Sequence, residues 1–219
     1  MSGHDHDHDH GHEHGHEHGH RHPFQPDIED RPLTHHQAMT EAVADLLLAK
    51  GIVEAAELRK MLEAIDAKSP AAGSKMVAKA WTDPAFKQRV LEDVIAAAAE
   101  LGIDAGGIPI KAIENTQATH NVVVCTLCSC YPRLLIGLPP DWYKARAYRS
   151  RVIREPRAVL KEFGTEIPDD VEVRVHDSTA DLRYLVIPRR PPGTEGWSAE
   201  KLAALVTRDT MIGVAVPQV

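Results

Sequence analysis

All three cysteines of this 219-residue chain fall within six positions, Cys125-Thr126-Leu127-Cys128-Ser129-Cys130. A run that must gather three thiols constrains the backbone on either side of it more than any other feature of the sequence. Thiols used for packing or cross-linking scatter along a chain, so three crowded together point to a metal. In Cys128-Ser129-Cys130, two thiolates and the backbone nitrogens of Ser129 and Cys130 can reach one ion through fused chelate rings. Those rings describe a square plane of sulfur and nitrogen. Cys125, about one turn earlier, supplies a fifth ligand from below and leaves the sixth position open, as a catalytic metal requires. Backbone amides bind only after losing a proton, which favours cobalt or iron over zinc. Two other readings stay open on the residues alone. One is half a zinc site, completed by the distant His120 or His176. The other is a Cys-x-x-Cys redox pair, which leaves Cys130 without a role.

The net charge of −7 is unevenly distributed. Residues 1–30 hold eight acids and one base, Arg21, which leaves 24 acids and 24 bases in the remainder of the 32 and 25. A neutral body lacks the basic excess of a nucleic-acid binder. No apolar run is long enough to span a membrane, and no secretory signal opens the chain. A cytoplasmic protein with reduced thiols is therefore expected. Ten of the fourteen histidines occupy every even position from His4 to His22, spaced by Asp, Glu, Gly and Arg. Such a segment cannot build a core and is expected to be disordered. Its imidazoles can chelate transition metals, so it reads either as a metal-gathering tail or as a solvated one with incidental affinity.

Pro23, Pro26 and Pro32 end the tail, and Thr34-His35-His36-Gln37 reads as a capping box. The helix that follows carries Val43, Leu46 and Leu47 on one face and ends near Gly51. A second helix is expected over 54–67, a third over 71–81, and a fourth from Pro84 to Leu101, closed by Gly102. After Gly106-Gly107 the pattern changes. Strands are expected over 110–115 and 121–125, helices near 140–149 and 156–163, and strands over 171–176 and 182–187. Ser198 caps a helix reaching about Val206, and 211–216 reads as a last strand. The fold class is α+β, an N-terminal helical arm followed by a layered α/β metal-binding domain. Its expected divisions are a His-rich tail at 1–30, the arm at 31–105 and a catalytic domain at 106–219. An arm with exposed apolar faces suits a wrapped partner.

The stretch Val122-Val123-Val124-Cys125-Thr126-Leu127-Cys128-Ser129-Cys130-Tyr131-Pro132 resembles the metal-binding signature of nitrile hydratase alpha subunits. The likeness continues through Gly137–Lys144, Tyr148–Arg151, Arg154–Arg157, Arg183–Pro188, Pro192–Ser198 and Ile212–Pro217. Thr126 resembles the cobalt-type members, where iron-type ones tend to have Ser. The resemblance implies one trivalent cobalt per chain, with iron less expected, held by Cys125, Cys128, Ser129 and Cys130. It also implies hydration of a small nitrile to an amide, an obligate beta subunit sharing the active site, and an activator protein that inserts the metal. Cys128 and Cys130 would be the sulfinate and sulfenate of the family, with Cys130, Cys128 and Ser129 forming the catalytic group and Cys125 the unmodified thiolate. Arg183 resembles a family arginine that supports this shell. Arg133 departs from the usual Trp and is reminiscent of the related thiocyanate hydrolase gamma subunit, where a cation suits an anionic substrate. A metal-storage protein without catalysis is the remaining alternative.

Overall fold

The computed structural model describes residues 34–219; the His-rich tail expected at 1–30 lies outside them. The chain opens as the capping box requires, with the Thr34 hydroxyl accepting from the Gln37 amide at 3.3 Å and the Gln37 side chain accepting from the Thr34 amide at 2.8 Å. Helix α1 (His35–Ala49) follows, and α2 (Ala55–Asp66) comes after Gly51, which turns the chain at positive φ. No side chain of α1 is buried, and Met39, Val43, Leu46, Met61 and Leu62 all face outward. Helix α3 (Ala71–Thr82) is different in kind, because Met76, Val77, Ala78 and Ala80 are buried. Gly73 makes that approach feasible, since an added Cβ would lie 2.7 Å from Met211 Sδ and 3.0 Å from the Leu135 carbonyl.

The single helix expected from Pro84 to Leu101 is two: α4 (Pro84–Glu92) and α5 (Val94–Glu100). Asp93 takes an extended conformation between them (φ −149°, ψ 102°), and its carboxylate accepts from the Ala96 amide as an N-cap. An aspartate in a helical pattern offers the backbone this alternative bond, and here the cap prevails over continuity. Because α3–α5 belong to the same apolar cluster as the residues beyond 106, we place the outward-facing arm at α1 and α2.

Strands β1 (Ile110–Glu114) and β2 (Thr119–Val124) come next. Four helices then cross over: α6 (Arg133–Ile136), α7 (Asp141–Lys144), α8 (Arg146–Arg154) and α9 (Pro156–Glu162). They return the chain to β3 (Glu172–Asp177), which pairs in parallel with β2, and β4 (Arg183–Ile187) pairs in parallel with β1. Parallel pairing demands a long connection, and the β2–β3 crossover supplies the aromatic stack of Tyr131, Trp142, Tyr143, Tyr148 and Phe163. The buried valines of β2 (Val122, Val123 and Val124) pack with Leu185, Val186 and Ile187 of β4 in one core. No described helix is long and apolar enough to cross a membrane.

After α10 (Ala199–Ala204), capped by Ser198, the last strand expected over 211–216 is replaced by helix α11 (Arg208–Ile212). Thr207 and Thr210 cap each other reciprocally, and Gly213 closes the helix at φ +92°. The alternation of apolar residues there reflects one buried helical turn rather than a strand. Gly213 sits directly on β2: its carbonyl accepts from His120 Nε2 at 2.7 Å, and an added Cβ would overlap the Asn121 carbonyl. Gly213→Ala should therefore destabilise the protein by about 2–5 kcal/mol, combining left-handed strain with overpacking. A urea denaturation midpoint unchanged from the parent would contradict this packing.

Candidate metal centre

The centre is built where β2 ends. Val124 pairs with Asp177, and the Ser178 amide donates to the Val124 carbonyl at 2.7 Å, which prolongs the ladder by one step. Cys125 leaves the strand fully buried. The Asp177 carboxylate, at the end of β3, then grips the next residue twice. Its Oδ1 accepts from the Thr126 amide at 2.9 Å and its Oδ2 from the Thr126 hydroxyl at 2.6 Å. Arg149 of α8 donates to the Thr126 carbonyl at 3.2 Å. At the other end of the loop, the Tyr143 hydroxyl donates to the Cys130 carbonyl at 3.0 Å, and Tyr148 holds the Val123 carbonyl at 2.7 Å. Between these anchors Leu127 is 83% exposed and Cys128 is exposed, so the tip of the loop faces outward.

The fold brings the three sulfurs within 4.8 Å of one another. Cys128 Sγ lies 3.5 Å from Cys125 Sγ and 3.2 Å from Cys130 Sγ, and the Cys128 amide donates to Cys125 Sγ at 3.2 Å. The backbone of Ser129 and Cys130 adds a smaller stabilisation of the Cys128 thiolate. Three sulfurs thus converge on one small volume, a set that fits a thiolate-binding transition metal. The same contacts polarise the thiols. Hydrogen bonds from Cys130 and then Cys125 draw Cys128 down to about 7, while burial, followed by the contact with Cys128, pushes Cys130 up to about 12. Of these two thiols the outward one, Cys128, therefore ionises first.

Neither histidine weighed as a zinc ligand reaches this group. His120 is buried, donating to Gly213 and accepting from the Asn115 amide nitrogen at 3.3 Å, and burial lowers its affinity for a proton. His176 donates to Asn121 Oδ1 at 2.9 Å. Among the described residues, the only His, Cys, Asp or Glu side chains grouped closely enough to hold one ion are the three cysteines. An isolated Cys-x-x-Cys pair is not what the geometry offers either, because Cys130 is the nearer neighbour of Cys128.

Cys128, Ser129 and Cys130 form part of the wall of a cavity of about 470 Å³. Arg133, at the start of α6, and Arg183, at the start of β4, line the same cavity, together with Ala105–Ile108, Tyr131, Pro132 and Leu134. Arg183 is oriented by a hydrogen bond to the Thr179 carbonyl, and its charge acts to lower the Cys130 thiol against the effect of burial. Asp177 had no signal in the sequence, while Tyr143, Tyr148 and Arg149 lie in stretches that carry the family likeness but show no role there. Each acts through a partner distant in the chain: the β2–β3 pairing brings Asp177 to the loop, and α7 and α8 bring Tyr143, Tyr148 and Arg149. In the metal-free protein, alkylation of Cys128 by iodoacetamide should be half-maximal near pH 7 and rise with pH as the thiolate forms. Cys128→Ser should remove this fast phase; a fast phase that survives the substitution would contradict the assignment.

The nitrile hydratase, alpha chain family matches residues 34–215. The high-molecular weight cobalt-containing nitrile hydratase subunit alpha of Rhodococcus rhodochrous is 50% identical over 186 residues, covering 83% of this chain and 91% of that protein. The thiocyanate hydrolase subunit gamma of Thiobacillus thioparus is 41% identical over 189 residues, covering 81% and 78%. Among solved structures, an iron-type nitrile hydratase from Comamonas testosteroni superposes with a TM-score of 0.78 at 42% identity, covering 83% of this chain and 90% of that one.

Proposed function

Because the chain belongs to the nitrile hydratase alpha-chain family, we propose that it is the alpha subunit of a cobalt nitrile hydratase. In this reading it adds water to a small nitrile to give an amide, at a centre held by Cys125, Cys128, Ser129 and Cys130. The observation that carries the reading is the convergence of three sulfurs, with Cys128, Ser129 and Cys130 in the wall of an open cavity. A storage site would be closed, whereas catalysis needs room for a substrate beside the ligands. Bound trivalent cobalt supplies Lewis acidity for the polar triple bond and for water.

The remaining work falls to the chain. Cys125, buried beneath the loop, is protected and stays a plain thiolate. Cys128 and Cys130 line the cavity and carry the sulfinate and sulfenate of the family. The sulfenate oxygen of Cys130 takes the role of base or nucleophile toward the substrate carbon. Arg183 stands beside Cys130 and stabilises the negative charge that its oxidised sulfur would carry. The Thr126 hydroxyl donates to Asp177, a bond that serine can also make, so this position marks the cobalt type by association and does not select the ion. The alpha-subunit relatives imply a beta partner. The outward apolar residues of α1 and α2 and the exposed Leu127 are the surfaces we assign to it. A cytoplasmic location keeps the thiols reduced until an activator protein loads the metal.

One observation favours a second reading, thiocyanate hydrolysis. Arg133 places a cation in the cavity where it can attract an anionic substrate, and a gamma subunit of that enzyme is among the relatives. Assays of a small aliphatic nitrile and of thiocyanate, run side by side on the cobalt-loaded complex with its beta subunit, separate the two. Amide formation from the nitrile is the expected result. Cys125→Ser, Cys128→Ser and Cys130→Ser should each reduce metal retention and activity to background. Full activity in any one of them would contradict the proposed ligand set.

A further inference from the structure

The surroundings of the thiol cluster pose an electrostatic problem for loading it. On one side lies the cavity with Arg133 and Arg183. On the other, Thr126 and Leu127 form the edge of a second hollow of about 680 Å³, whose remaining lining is Arg146, Arg149, Ser150, Ile153 and Arg154 of α8. These α8 residues share one helical face at spacings of three and four. No carboxylate lines either hollow. The nearest acid identified at the loop, Asp177, has both oxygens committed to Thr126. A divalent cation approaching the exposed Cys128 sulfur therefore meets the field of five guanidinium groups in the two hollows beside the loop. Like charge of that density lowers the local cation concentration and slows encounter.

The chain carries a segment of the opposite character. Between His4 and His22 there are ten imidazoles, five carboxylates and one base. Neighbouring imidazoles hold cobalt, nickel or zinc, and the interleaved carboxylates give the segment an affinity for arginine. The 33 residues ahead of Thr34 can span up to roughly 110 Å, several times the radius of gyration of about 16 Å expected for a domain of this size. We propose that residues 4–22 collect divalent cations, dock through their carboxylates on the arginine surface of α8, and pass the cation to the three thiols. With one divalent ion bound the segment keeps a net charge of −2 from five carboxylates, Arg21 and the ion, so docking offsets part of the guanidinium charge and turns a bimolecular encounter into a tethered one. This rests on the reading of the cluster as a metal centre.

The test compares the full chain with residues 31–219, each folded by circular dichroism. Total cobalt bound is measured by equilibrium dialysis, and filling of the cluster is followed by its thiolate-to-metal charge-transfer band. With roughly three to four imidazoles per ion, the full chain should bind about three cobalt ions beyond the one at the cluster. At limiting cobalt and low salt, its cluster should fill about tenfold faster or more. That advantage should vanish in about 0.5 M salt, where the screening length falls below roughly 5 Å. The double variant R146Q/R154Q should act in opposite directions, slowing filling in the full chain and speeding it in 31–219.

Equal capacity in the two chains, or equal filling rates at low salt, would overturn the proposal. So would arginine variants that leave both rates unchanged and weaken only assembly with the beta subunit, because that result gives the surface to the partner. A cluster that takes no cobalt at saturation in either chain would defeat the metal-centre reading and the transfer with it. Extra cobalt bound by the full chain would still register in the dialysis, so the two failures are distinguishable.

Discussion

The grip of the Asp177 carboxylate on Thr126 is the constraint from which the rest of the site follows. It joins the end of one parallel strand to the first residue beyond Cys125, and it uses both oxygens to do so. With Cys125 fixed by burial and the Cys130 carbonyl held by Tyr143, the loop between has little freedom left. Three thiols are thereby kept together before any ion arrives, although burial raises one of them and mutual hydrogen bonding shifts another. The charge this concentrates on Cys128 is the kind of feature a protein tolerates where chemistry requires it.

Much of this was legible in the sequence, and the reasons differ from residue to residue. The cysteine run advertised itself because the ligands are adjacent in the chain and their spacing encodes the chelate geometry. The capping box at Thr34, the N-cap at Ser198 and the proline-marked start of α4 were equally local signals. The misreadings were local in another sense. Asp93 interrupts a helix because its side chain finds the Ala96 amide, and no apolar periodicity records that choice. Residues 211–216 alternate like a strand, yet the Thr207 cap and the close approach of Gly213 to β2 make a helical turn. The roles of Asp177 and Tyr148 carry no local signal, since their partners lie 51 and 25 positions away.

Family membership and site geometry bear on different parts of the account. The first places the chain among alpha subunits of enzymes that hydrate nitriles. The second shows how this sequence arranges its donors: an inner sulfur shielded by the core, an outer sulfur at the surface, and a cavity bounded by two arginines. The outward apolar residues of α1 and α2 give the fold a face for a partner, and the arginines of α8 give it a face for an acid.

We propose that the three sulfurs and the amides of Ser129 and Cys130 bind one cobalt together. X-ray absorption at the cobalt edge tests it most directly, on the protein coexpressed with its beta subunit and lacking residues 1–30. The account predicts a mixed first shell of sulfur and light atoms with more than four ligands. A four-coordinate tetrahedral shell, or one without sulfur, would contradict it.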